Sequence, residues 1–159
     1  MKTYVHASVV LRDCGKVLLV REAKAANRGQ WNFPGGHVEP GEAMAAAAVR
    51  EAKEETCLGV FLNDLIGVYT GVMRSGDQSV RFVFGGHAMT GEAAAGDEIT
   101  EVRWFPLEDI GNLADEKLVA PKMFKRIVAD IENGISWPVS VLSEDDDVDV
   151  SVDKDSPDE

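Results

Sequence analysis

Gly36–Leu58 reads GHVEPGEAMAAAAVREAKEETCL. From Glu42 to Thr56 nearly every residue is a good helix former, with small apolar residues on one side and charge crowding the C-terminal half, so a helix is expected over 42–56. On it Glu51, Glu54 and Glu55 stand at i, i+3 and i+4, which brings three carboxylates to one face, while Lys53 lies on another side. Two readings follow. The cluster is a solvated acidic helix face, or its repulsion is relieved by a hard divalent cation, which prefers oxygen ligands and completes its shell with water and substrate phosphates. Arg50, four residues before Glu54, can pair with it and fix its rotamer, as an ordinary helix salt bridge also would. Upstream, Gly35 and Gly36 lack side chains, so a metal or phosphate can approach the backbone there; a simple turn uses the same pair.

Outward from this stretch, the elements alternate between two periods. Tyr4–Leu11 and Lys16–Arg21 are β-branched and apolar, and Asp13-Cys14-Gly15 between them reads as a hairpin turn. Residues 23–42 hold too many Gly and Pro for a regular element and read as a long loop, a class of segment that is often functional. Val60–Val72 and Ser79–Ala88 predict a second hairpin across Arg74-Ser75-Gly76-Asp77, and Ile99–Phe105 a further strand. Pro106 and Pro121 are suited to open helices over 107–110 and 121–133, the second stopped by Gly134. Hairpins mixed with a crossover helix imply an α/β class, a mixed β-sheet sandwiched between helices.

Composition narrows the function classes. A chain of 159 residues, 45% apolar with three Trp and six Phe, can supply the core of one domain. No apolar run approaches the roughly 20 residues of a membrane span, and Met1–Asp13 lacks a signal-peptide h-region, so a cytoplasmic protein without membrane partners is expected. A net charge of −12 argues against an extended nucleic-acid surface and for a small ligand. Residues 143–159 carry nine acidic residues against one Lys and are expected to form a solvated, disordered tail behind a folded domain over 1–142. Cys14 and Cys57 have no zinc-site spacing and are expected to be buried thiols.

Gly36, five residues, Glu42, seven residues, then Arg50-Glu51-Ala52-Lys53-Glu54-Glu55 resembles the Nudix box, GX5EX7REUXEEXGU, in which U is a bulky aliphatic. Every charged position is matched. Cys57 stands in place of the last Gly, where a left-handed conformation ends the helix, so either Cys57 is strained or the stop moves to Gly59; Ala52 is smaller than the usual aliphatic. The strand order on both sides also resembles the Nudix fold, over about 140 residues.

The resemblance implies metal-dependent hydrolysis of a phosphoanhydride bond in a nucleoside tri- or diphosphate or a nucleoside diphosphate derivative, with Mg2+ or Mn2+ activating water. Carried onto this chain, it makes Glu54 and Glu55 the main metal ligands, Glu51 a further one, the Gly35 carbonyl another, Arg50 the orienting residue and Glu42 a support of loop and helix. Such chemistry needs charge neutralisation and in-line positioning more than covalent help. Glu98 is the preferred general base and Glu55 the second choice; both Asp97 and Glu98 also read as loop charges. Gly36, Glu39 and His37 are candidates for contact with substrate phosphates, and Phe33 for the core, while Trp31 faces the pocket or anchors the loop. His6 and His87 read as packing residues.

Past residue 115 the chain loosely resembles a bacterial subgroup of small Nudix phosphatases, the NudJ type, in its helix followed by Trp137-Pro138-Val139. Lys117, Lys122, Lys125 and Arg126 read either as a solvated surface or as neighbours of a polyphosphate. ADP-ribose is the alternative substrate, and a catalytically inactive nucleotide sensor the alternative class. A homodimer is compatible with every one of these readings.

Overall fold

The protein is described here by a computed structural model covering residues 1–144; the acidic run beyond Glu144, expected to be disordered, lies outside the described residues. β1 (Thr3–Asp13) and β2 (Lys16–Glu22) are joined by Cys14 and Gly15. Both turn residues have positive φ, 48° and 77°, the geometry that matches the twist of a two-residue hairpin. This corrects the expectation of two buried thiols: Cys14 sits at the tip of the turn, exposed, and Cys57 is only partly buried.

The long loop is not wholly irregular, since Trp31–Asn32 (β3) adds to β2 and Gly35–His37 (β4) adds to β1. Helix α1 (Met44–Thr56) begins two residues later than expected, with Ala43 at its N-cap and Glu42 outside. β5 (Gly59–Val72) and β6 (Gln78–Thr90) form the second hairpin, followed by β7 (Ile99–Pro106), the short α2 (Leu107–Ile110) and α3 (Pro121–Glu132).

The seven-stranded sheet runs β3-β2-β1-β6-β5, with β4 also on β1 and β7 also on β2. It is mixed because β1 runs parallel to β6, from Thr3 opposite Gln78 to Leu11 opposite Gly86, while its other pairings are antiparallel. β1 is therefore covered on both faces, and its alternation divides two apolar clusters. Ala7, Val9 and Leu11 meet Ala47, Ala48 and Ala52 of α1. Val10 joins the opposite cluster with Phe33, Ile66, Val83 and the α3 residues Phe124 and Ile127. The alanines matter because α1 presents mainly methyl groups to the sheet, so its backbone lies close to the strands and its carboxylate face is carried to the edge of β4.

Candidate active site

Three local constraints fix α1 over β4. At the helix start, where no side chain of the loop caps it, the Met44 amide donates to Glu144 Oε1 at 2.8 Å, a charge-assisted bond from the far end of the described chain. At the helix end Cys57 has φ 64° and ψ 8° and donates its N–H to the Lys53 carbonyl at 3.0 Å; the stop has not moved to Gly59. The remaining terminal carbonyls, Glu54, Glu55 and Thr56, accept from the amides of Asp97, Gly96 and Ala94 at 2.9, 2.9 and 3.0 Å. The segment between β6 and β7 thus satisfies groups that every helix end leaves orphaned, and in doing so lays Asp97 and Glu98 beside the carboxylates.

The result is a pocket of ≈ 200 Å³ into which Glu22, Glu51, Glu54, Glu55 and Glu98 all project, with Lys24 the lone cation among its walls and the Gly35-Gly36 strand as its floor. A Cβ on Gly36 would stand 2.6 Å from the Glu51 carboxyl carbon, so only glycine leaves that carboxylate its place. Arg50 is the organiser. Its Nε and Nη2 donate to Glu42 at 2.7 and 2.9 Å in a bidentate fork, Nη1 donates to Glu51 at 2.9 Å and to Glu54 at 3.2 Å, and Nη2 also reaches the His37 carbonyl at 3.0 Å. Glu42 in turn accepts the Glu39 amide at 3.1 Å, so it supports loop and helix together. Glu55 is 7% exposed and accepts the Gly35 amide at 3.0 Å.

Burial makes negative charge costly in this pocket, and neighbouring carboxylates add to the cost. Burial, then the neighbouring Glu22, pushes the Glu55 carboxyl up to about 9. Burial also raises Glu51 and Glu22 above the usual carboxylate range. Opposite charge is supplied by Arg50, engaged with Glu42, and by Lys24, held on Glu98 at 2.9 Å. An all-oxygen set of this kind suits a hard divalent cation. As the side chains stand, no group of three or more is already at ligating spacing among the described residues; Arg50 and Gly35 hold the carboxylates, which would turn toward an ion.

Glu98 has φ 60°, a left-handed conformation that is costly for a non-glycine residue, and its carbonyl accepts the Ala23 amide at 2.9 Å. His37 and Glu39 line the outer wall, and His37 lies against the rings of His6 (4.4 Å) and Tyr4 (5.5 Å). Phe33 stacks on Phe124 at 4.6 Å in the core. Trp31, 5% exposed, packs edge-on to Phe105 beneath the Arg103 guanidinium and therefore anchors the loop and does not face the pocket. His87 is exposed, with its ring against Phe61 at 5.5 Å and its Nδ1 bonded to Asn63 at 2.9 Å, so it packs at the surface of the sheet. Lys117, Lys122, Lys125 and Arg126 are not among the pocket's walls. Lys125 pairs with Asp115, and Lys122 and Arg126 face a different groove.

Sequence reading missed four residues. Glu22, at the end of β2 beside its register shift against β7 at Arg21/Glu22, and Lys24 just beyond the strand line the pocket. Arg81 and Asn32 meet behind it: Arg81 Nη1 donates to Asn32 Oδ1 at 3.4 Å, while its Nε is shut from solvent and has no hydrogen-bond partner. An arginine in an alternating strand reads as an outward charge. Its register opposite His6 was the missing information.

A mixed sheet whose crossover helix lays clustered carboxylates over a glycine strand defines an α/β protein with an acidic pocket. The chain matches the NUDIX domain over residues 2–127 and belongs to that family of hydrolases. It is 34% identical over 117 residues to the uncharacterized Nudix hydrolase YvcI of Bacillus subtilis, covering 70% of this chain and 72% of the relative. To the ADP-ribose pyrophosphatase of Methanocaldococcus jannaschii it is 33% identical over 129 residues, 77% of this chain and 76% of the relative. A NUDIX hydrolase structure from Nitrosomonas europaea superposes with a TM-score of 0.82 at 28% identity, covering 92% of this chain and 99% of the other. Among the described residues no helix is long and apolar enough to cross a membrane.

Proposed function

We propose that this hydrolase cleaves a phosphoanhydride bond in a nucleoside tri- or diphosphate or a nucleoside diphosphate derivative, with Mg2+ or Mn2+ held by Glu51, Glu54, Glu55 and the Gly35 carbonyl. The observation that carries the reading is the convergence of six glutamates, Glu22, Glu39, Glu51, Glu54, Glu55 and Glu98, on one small pocket whose one lining cation, Lys24, is already engaged with Glu98. When bound, the divalent ion neutralises the phosphates and lowers the pKa of a coordinated water.

The chain's own residues do the rest. Arg50 holds Glu51 and Glu54 side by side, from where their carboxylates would turn toward an incoming ion. Gly36 keeps the strand open for a phosphate, and His37 and Glu39 border its path. Glu98, at the pocket rim with its carboxylate 62% exposed, takes the proton of the attacking water while Lys24 orients it.

The test is hydrolysis of a panel of nucleoside tri- and diphosphates, ADP-ribose and dinucleoside polyphosphates with Mg2+ or Mn2+, comparing wild type with Glu54→Gln. Turnover that requires metal and collapses in the variant is expected. ADP-ribose as the best substrate would favour the second reading, for which the archaeal relative's activity speaks. Nucleotide binding without turnover on any panel member would overturn both in favour of a sensor.

A further inference from the structure

On the other side of the sheet, β5 is the terminal strand. Beyond the Leu65–Trp137 bridge, in which each amide donates to the other's carbonyl at 2.8 Å, no strand among the described residues pairs with its outer edge from Ile66 to Val72. That edge opens onto a groove of ≈ 1200 Å³ between β5 and α3. Its walls are apolar at Tyr69, Met123 and Trp137, and cationic at Arg74, Lys122 and Arg126. Arg126 pairs with Asp130, but Arg74 and Lys122 have no ion-pair partner among the described residues. Val68, Val72 and Trp137 are 49%, 79% and 55% exposed. A long open strand edge flanked by apolar surface is a template for strand addition.

The chain carries a segment of matching chemistry. Asp147-Val148-Asp149-Val150-Ser151-Val152-Asp153 alternates with period two, placing three valines on one face of a strand and acidic or hydroxyl groups on the other. Residues 145–159 hold eight acidic residues and one Lys, opposite in sign to the groove's unpaired cations. Reach is ample: the described chain leaves the β5 edge at Trp137 and ends at Glu144, and 15 further residues extend about 50 Å, against roughly 23 Å for the open edge. We propose that residues 147–153 of the same chain add as a strand to the outer edge of β5, seating Val148, Val150 and Val152 in the groove beside Trp137 with their acidic neighbours in the field of Arg74 and Lys122.

The test is hydrogen exchange of the β5 amides 66–72 in low salt, comparing the full chain with a chain ending at Glu144 and with Val148→Ser/Val150→Ser/Val152→Ser. Exchange about tenfold slower in the full chain is expected, lost in both variants and weakened in Arg74→Glu/Lys122→Glu. Equal exchange in all four proteins would overturn the proposal. Protection that grows with protein concentration and accompanies a dimer would overturn it in favour of a second copy's tail. Protection of the truncated chain by added inorganic triphosphate, with none from the tail, would instead make the groove an anion site.

Discussion

The acidic pocket and the β5 groove are opposites built on one sheet. The pocket is small, lined by carboxylates and crossed by short hydrogen bonds that hold its side chains before any ligand arrives. The groove is about six times as large in volume (≈ 1200 against ≈ 200 Å³), mainly apolar with Arg74, Lys122 and Arg126 on its margins, and offers unpaired backbone in place of fixed side chains. Chemistry on a phosphate needs the first kind of surface, since a misplaced ligand costs rate directly. Chain recognition needs the second, where backbone pairing tolerates many sequences.

Substitutions should divide along the same line. Glu54→Gln is expected to lower kcat by about a thousandfold or more while leaving exchange at 66–72 unchanged, as read by steady-state kinetics and hydrogen exchange on the same sample. Coupled loss of both would break the division. Arg50→Ala should act on fold and chemistry together: Glu42, Glu51 and Glu54 lose their shared partner, at a cost of about 3 kcal/mol in urea unfolding and roughly a hundredfold in kcat. A smaller effect falls at the boundary between the regions. His6, half-buried against His37 and near Arg81, has its pKa lowered to about 4 by burial first and Arg81 second. The unfolded imidazole binds a proton near 6.5, so stability is full above that pH and falls by about 1 kcal/mol per unit as pH drops toward 4. His6→Gln should flatten that slope in urea titrations at pH 7 and 5. On the groove side, Tyr69→Phe deletes the 2.7 Å bond to Asp130 and should cost about 1 kcal/mol with kcat within twofold of wild type.

The two regions were not equally legible. Helix periodicity placed Glu51, Glu54 and Glu55 on one face, and the box spacing joined them to Arg50, Glu42 and Gly36, because these relations are local. Glu22, Lys24 and Arg81 come together through strand register, which composition and periodicity do not encode; Arg81 lies opposite His6 only because β1 and β6 run parallel. Trp31 kept both its readings until Phe105, more than seventy residues later, proved to be its neighbour. The groove was invisible for a related reason. Val68, Thr70 and Val72 read as one side of an ordinary strand, and only the sheet order reveals that the strand lies at the margin.

The amides of Ala94, Gly96 and Asp97 that finish α1 have one further consequence, for how much the chain can be rewritten. The connection between β6 and β7 is a ruler: adding or removing a residue there shifts the end of the helix that carries the carboxylates. The Arg74–Asp77 turn, bonded chiefly within itself and to the N-terminal Lys2, has no such duty. Beyond Arg74, new loops can be grafted at that turn without moving the carboxylates, and divergence in length should accumulate there before it is tolerated between 92 and 98.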